Sequence, residues 1–445
     1  MRFTISKTAS TTFAIACLLL VSPAICLGQN PVPAPKQTKS ILLLNGKLHI
    51  GNGRIIENSA VAFKNGKITL VADATTIRID NSQYDTIISL SGKNIYPGLI
   101  AMNTILGLNE IESVRATHDF SEIGALNPSV RSIIAYNTDS KVIPTVRSNG
   151  VMMAQIVPKP GSAPPCISGQ SSVVVLDAWN YEDATYAYDN GMHLHWPSMR
   201  ILRSDDPSQE EKQRNNTEKN IREIYRVFQE AKTYASVQSH PVKNVHLESM
   251  RGVFDKSKKL YIHCGGAKEI ISAAAFCKEF GLEMVLVGGY EAHLVTRLLK
   301  ERNIPVVVTE THRLPSISDE AIDMPFSLPV ILQREKIPFA LSVPEFWQVR
   351  NLSYQAGSAV AYGLPYEEAI RSITLSPAEI LGIGKKVGSV ELEKDATLII
   401  TDGDILDMRS SMVEAAYIQG RQIDLDNIQY QLDRKYREKY GLGGD

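Results

Sequence analysis

His193 and His195 stand one residue apart, a spacing that sets both imidazoles on one face of an extended chain. Neutral imidazole is a common ligand for zinc and related divalent ions. Together with His263 and His312, the pair could build a tri- or tetra-histidine site. The flanking Asp189-Asn-Gly191 and Trp196-Pro197 favour a loop here, and two loop histidines held by hydrogen bonds are the simpler reading. His312 follows a strand read at 305–309, which makes it a candidate for a polar role. Glu345 follows a strand read at 338–342 and is a candidate displaced general base. The plainer alternatives are a structural histidine and a solvated loop carboxylate. His293 is expected on a helix surface, and His118, His240 and His246 form no constellation. No nucleophile elbow, phosphate-cradling glycine loop or zinc-type cysteine pair occurs, and Cys264 has no basic partner in sequence.

These residues need elements to position them. Between 41 and 71, short β-type runs are separated by turn residues, and Asn65-Gly66 is a strong hairpin signal. From 258 to 342 the pattern alternates: strands at 259–263, 283–287, 305–309 and 338–342, helices at 267–280, 291–302 and 328–335. Strands apolar throughout, alternating with amphipathic helices, imply a parallel sheet covered on both faces, and at this length a closed (β/α)8 barrel. Ser376 with Pro377 and Glu379 reads as an N-cap, a first-turn proline and a capping box. Residues 387–400 and 415–423 return to β pattern, and 426–440 read as a charged helix. The boundaries expected are a leader at 1–28, a proline-rich linker at 29–40, a barrel at 97–384, and a small β-sandwich from 41–96 and 385–425.

The lead-in Tyr96-Pro-Gly-Leu-Ile-Ala-Met-Asn103-Thr-Ile105 resembles the first barrel strand of the amidohydrolase superfamily. Further motifs at Gly150–Gly169, Leu286–Glu291, Ser376–Gly382 and Gly388–Ala396 carry the resemblance over nearly the whole chain after residue 28. It is nearest to imidazolonepropionase-like exported members. The resemblance implies a (β/α)8 barrel with a composite β-sandwich, and a catalytic metal that activates water. It also implies a ligand set, and here the residues depart from it. The His-x-His positions fall on Asn103 and Ile105, and the bridging lysine falls near Val175. The fifth-strand histidine is His263 or has become Gly265. The sixth-strand histidine falls on Gly288 and the last-strand aspartate on Val343. None of the standard set beyond one histidine is retained, so no metal is expected unless a non-standard site exists.

Arg2, Lys7 and the apolar run Phe13–Val21 read as an export leader cleaved near Gly28, giving a periplasmic or secreted protein. No later stretch is long and apolar enough to span a membrane. The formal charge of −1 gives no footprint for nucleic acid or anionic lipid. Cys166, Cys264 and Cys277 are no disulfide framework. Polar residues between Glu112 and Asn149, with Trp179, Asn180, Tyr181 and Trp196, suggest an aromatic-walled cleft with Arg115 and Arg147 as carboxylate anchors. Three functions follow. The favoured one is a binding or partner subunit, a homodimer or a heteromer with an active relative. The second is a C–N hydrolase acting on small peptides or cyclic amides through a non-standard histidine site. The third is a metal-independent enzyme using rim acids and bases.

Overall fold

The Asn65-Gly66 turn folds as its composition dictates: both residues have positive φ, 53° and 80°, and they join β2 (Ile55–Lys64) to β3 (Lys67–Asp73). This hairpin pairs with β1 (Ile41–His49), which also receives β4 (Thr86–Ser89) and β5 (Asn94–Pro97) in parallel. The later strands β14 (Leu398–Asp402), β15 (Met412–Ile418) and β16 (Arg421–Gln422) join the same sheet through β5. One hydrogen-bonded sheet of eight strands thus draws on both ends of the described chain. The computed structural model describes residues 32–161 and 166–443, so the leader expected at 1–28 lies outside the described residues.

The second sheet is the barrel: β6 (Leu99–Thr104), β7 (Val151–Ile156), β8 (Cys166–Val175), β9 (Thr185–His195), β10 (Lys259–Cys264), β11 (Met284–Gly288), β12 (Val306–Thr309) and β13 (Phe339–Ser342), in that order. The edges β13 and β6 meet through side chains, with Ser342 Oγ donating to the Met102 carbonyl at 2.8 Å. From β9 onward every pairing is parallel, and α4 (Ala267–Phe280), α5 (Thr296–Glu301) and α6 (Met324–Arg334) cross between strands.

One strand departs from the regular alternation. β8 runs antiparallel to both neighbours, β7 and β9. A parallel return needs a crossover of about a dozen residues or more, usually a helix. Only nine residues separate the end of β7 from the start of β8, fewer than such a crossover takes. Two further expectations fail locally. Helix α9 (Leu375–Ile380) already contains Ser376, and at the cap position Thr374 spends its hydroxyl on the Ile370 carbonyl, so no capping box forms. Residues 33–40 lie along the body as a strap: the Ala34 N–H donates to Asp177 at 3.0 Å, and the Gly66 N–H to Gln37 at 2.8 Å.

Asp177, just after β8, is the clasp for that strap. Its buried carboxylate also pairs with Arg147 at 2.7 Å, at the end of α1 (Val142–Arg147), and with Arg421 of β16 at 2.8 Å. Removing one member of a buried charged cluster strands the others without water or a partner. Asp177→Ala is therefore expected to lower unfolding stability by about 3–5 kcal/mol. Arg297→Ala, which removes an exposed helix pair, should cost under about 1 kcal/mol. Urea denaturation of the two variants checks the contrast.

Candidate functional site

Parallel pairing of β9 with β10 sets Tyr261 opposite His193 and His263 opposite His195. His193 and His195 are therefore strand residues facing the barrel interior, not loop residues as the flanking Asn-Gly and Trp-Pro suggested. Asp189-Asn-Gly191 lies inside β9, with Asp189 at positive φ, and Trp196-Pro197 follows the strand's end. His193 is fully buried, whereas His195 and His263 are partly open. His193 Nδ1 lies 2.9 Å from His263 Nε2, so one ring donates and the other accepts. The His195 ring stacks on His263 with centroids 4.1 Å apart, and its Nε2 meets Ser168 Oγ at 3.2 Å. Tyr261 stacks under His193 at 4.8 Å.

Ser168 reaches His195 because β8 has a bulge. The register steps from Ile167↔Leu194 to Gly169↔His193, leaving Ser168 unpaired and re-aimed. Below the imidazoles, Gln155 accepts from the Asn103 N–H at 3.2 Å and donates to Ser171 Oγ at 3.0 Å. Burial alone pushes the His195 imidazole down to about 4. His193 and His263 are held well below the ordinary histidine value, by burial first and then by the neighbouring imidazoles. The group is a neutral set of rings joined by one hydrogen bond and one stacking contact, with His193 Nε2 buried and without a partner among the described residues.

His312 does not join it. That ring is exposed on the rim, bonded to Ser358 Oγ, and its backbone N–H donates to Gln355 at 2.9 Å. Glu345 is no free base either, since Lys159 on the β7–β8 loop pairs with it at 3.1 Å. The carboxyl with a raised pKa is Glu310, half-buried, lifted by desolvation and then by Glu345. Glu310 also carries φ of +54°, uncommon for a residue with a Cβ. Sequence reasoning missed Glu310, Lys159, Gln155, Tyr261 and Ser168. Only Glu310 carried a signal, as the acid two residues before His312.

The strand-exit positions are filled as follows. Asn103 takes φ of +53° where β6 shifts register against β7, and Ile105, just past the strand, lies in the hydrophobic core. Val343 is buried in the same core. Gly288 has φ of +99°, and a Cβ there would meet the Cys264 carbonyl oxygen at 3.0 Å. A Cβ at Gly265 would lie 2.0 Å from the Tyr290 ring, whereas His263 lies within β10, the fifth strand of this sheet. Val175 lies at the floor of the barrel, because the antiparallel course of β8 carries it away from the mouth. The aromatic cleft is also dispersed: Trp196 packs against Phe276 in the core, Trp179 is exposed, and Arg147 is spent on Asp177.

Residues 339–430 match the Amidohydrolase family. A solved amidohydrolase from Thermotoga maritima MSB8 is similar over 86% of this chain and 99% of its own, at 26% identity and a TM-score of 0.75. The chain carries an amidohydrolase-family domain. A Xaa-Pro dipeptidase structure with bound methionine shares the amidohydrolase fold at 14% identity, a TM-score of 0.53 and coverage of 86% and 100%. The curated amidohydrolase tasK of Hapsidospora irregularis is 22% identical over 156 residues, 34% of this chain and 16% of that one. The chain thus aligns with only about a sixth of that relative's length.

The family usually binds divalent metal, so the fit of the donors matters. Among the described residues no three His, Cys, Asp or Glu side chains are placed to hold an ion. The histidine group is the nearest approach. Two of its nitrogens face each other across a hydrogen bond, and the third ring is stacked with its Nε2 turned to Ser168. As arranged, the donors do not converge on one point.

The neutral rings set a pH dependence. A histidine whose folded pKa is depressed takes up protons on unfolding, so its stabilising effect is complete above about 6.5 and is lost as pH falls toward the folded value. Each unit of separation is worth about 1.4 kcal/mol. Stability should therefore fall between about pH 6.5 and 4, and His193→Gln should flatten that slope. Denaturation midpoints of both proteins across this range check it.

Proposed function

We propose that this amidohydrolase-fold protein lacks the family's hydrolytic metal centre and serves as a binding or partner component of an exported C–N hydrolase system. The observation that carries this reading is the left-handed backbone of Asn103. A pair of ligands at i and i+2 shares a face only on an extended strand. Here β6 shifts register against β7 around the left-handed first ligand position, and the second, Ile105, lies past the end of the strand in the hydrophobic core. Val343, where the proton-accepting aspartate would stand, is likewise core. Bound metal lowers the pKa of water from 15.7 to about 7, on the order of 12 kcal/mol of proton affinity. A neutral cluster of imidazoles and a lysine-paired Glu345 supply no comparable effect.

A second reading has its own support, because His193, His195 and His263 come together at one end of the barrel. On that reading the rings rotate to admit a divalent ion, and the protein hydrolyses C–N bonds of small peptides or cyclic amides. Metal content separates the two. The full chain purified without chelator or histidine tag is expected to hold well under one zinc, manganese, iron or nickel ion per chain by elemental analysis. Stoichiometric metal that is lost in His195→Ala would establish the second reading in place of the first.

A further inference from the structure

Beside the barrel mouth lies a cleft of about 660 Å³, within the size range of small-ligand pockets. Its walls come from the turn after β13, the end of α1 and the start of α10 (Ile428–Tyr440). Arg350 is its most distinctive residue. One guanidinium nitrogen donates to the Trp347 carbonyl at 2.7 Å, and the group lies 5.6 Å over the Trp347 ring. It is half-buried and touches Trp347 through both its carbonyl and its ring, yet no ion pair is formed by Arg350 among the described residues. A guanidinium with no ion-pair partner in a concave site can take a carboxylate through two parallel hydrogen bonds. Glu345, in the same cleft, is turned to Lys159 and so does not neutralise Arg350. Glu112 lines the cleft as an exposed carboxylate, and Tyr430 and Trp347 supply aromatic surface.

We infer that this cleft binds a short linear peptide by its free C-terminal carboxylate, which pairs with Arg350 while Glu112 receives the N-terminal ammonium. The peptide body lies against Trp347 and Tyr430, whose flat faces contribute apolar contact at low cost in conformational entropy. The inference rests on the reading of this protein as a binding component and gives that component a ligand class. It needs no residue of the histidine group, so its failure and a positive metal analysis would be separate results.

Calorimetric titration of the full-chain protein with Ala-Ala-Tyr, its C-terminal amide and its N-acetylated form tests the assignment. The free acid is expected to bind at least about tenfold tighter than the amide, the factor that one good charge-assisted contact supplies. Acetylation should weaken binding by a smaller factor. Arg350→Lys, which keeps the charge but loses the fork, should abolish most of the preference for the acid. Glu112→Gln should remove the effect of acetylation and leave the acid preference intact, and Arg297→Ala should change neither. Equal affinity for acid and amide, absence of binding at millimolar peptide, or a folded Arg350→Lys protein with unchanged preference would overturn the inference.

Discussion

The register of β9 against β10 places three imidazoles in a space that water reaches only in part, and much else in the barrel follows from that placement. An uncharged ring is the form that such a position favours, because the charged form loses its hydration. Each neutral ring still needs partners for its polar atoms. His193 Nδ1 and His263 Nε2 meet that need for each other and Ser168 meets it for His195, while His193 Nε2 is buried with no partner among the described residues. One of the three register shifts of β8 against β9 falls at Ser168 and turns its side chain to do this. Tyr261 can lie under His193 because residue 191 is glycine: a Cβ there would stand 2.5 Å from the tyrosine ring.

The antiparallel β8 strand reshapes the mouth. The loop it shares with β7 carries Lys159 to Glu345, and its descending end delivers Asp177 to the buried pair of arginines. That carboxylate ties the barrel to the strap at Ala34 and to β16 of the other sheet. The site end and the stability clasp thus hang on one hairpin. In a regular parallel barrel a helix would separate these two regions, and the β13 exit would lack its lysine.

Much of the fold was legible in sequence because its signals are local. The helix at 267–280 matches its reading, since its apolar period and the glycine after Phe280 mark both face and end. The Asn65-Gly66 hairpin and the later strands were equally plain. The antiparallel β8 was not, because a strand's apolar run does not state its direction. The loop placement of His193 and His195 failed for a related reason. Asn-Gly and Trp-Pro are turn signals by composition, yet the register of a neighbouring strand decided where pairing stops. Ser168 was invisible because a bulge is a property of two strands together. Arg147 could be read as a ligand anchor only while its partner, Asp177, was unknown.

The central claim is that His193, His195 and His263 form a neutral, metal-free, hydrogen-bonded group. Nitrogen-15 NMR of the histidine side chains, with single His→Gln variants for assignment, reads it directly. Between about pH 5.5 and 8 the three rings are expected to keep the distinct nitrogen shifts of fixed neutral tautomers. Neither a chelator nor added zinc should move them. Shifts that change on chelation, or on addition of one equivalent of zinc, would contradict the claim and make the barrel mouth a metal site.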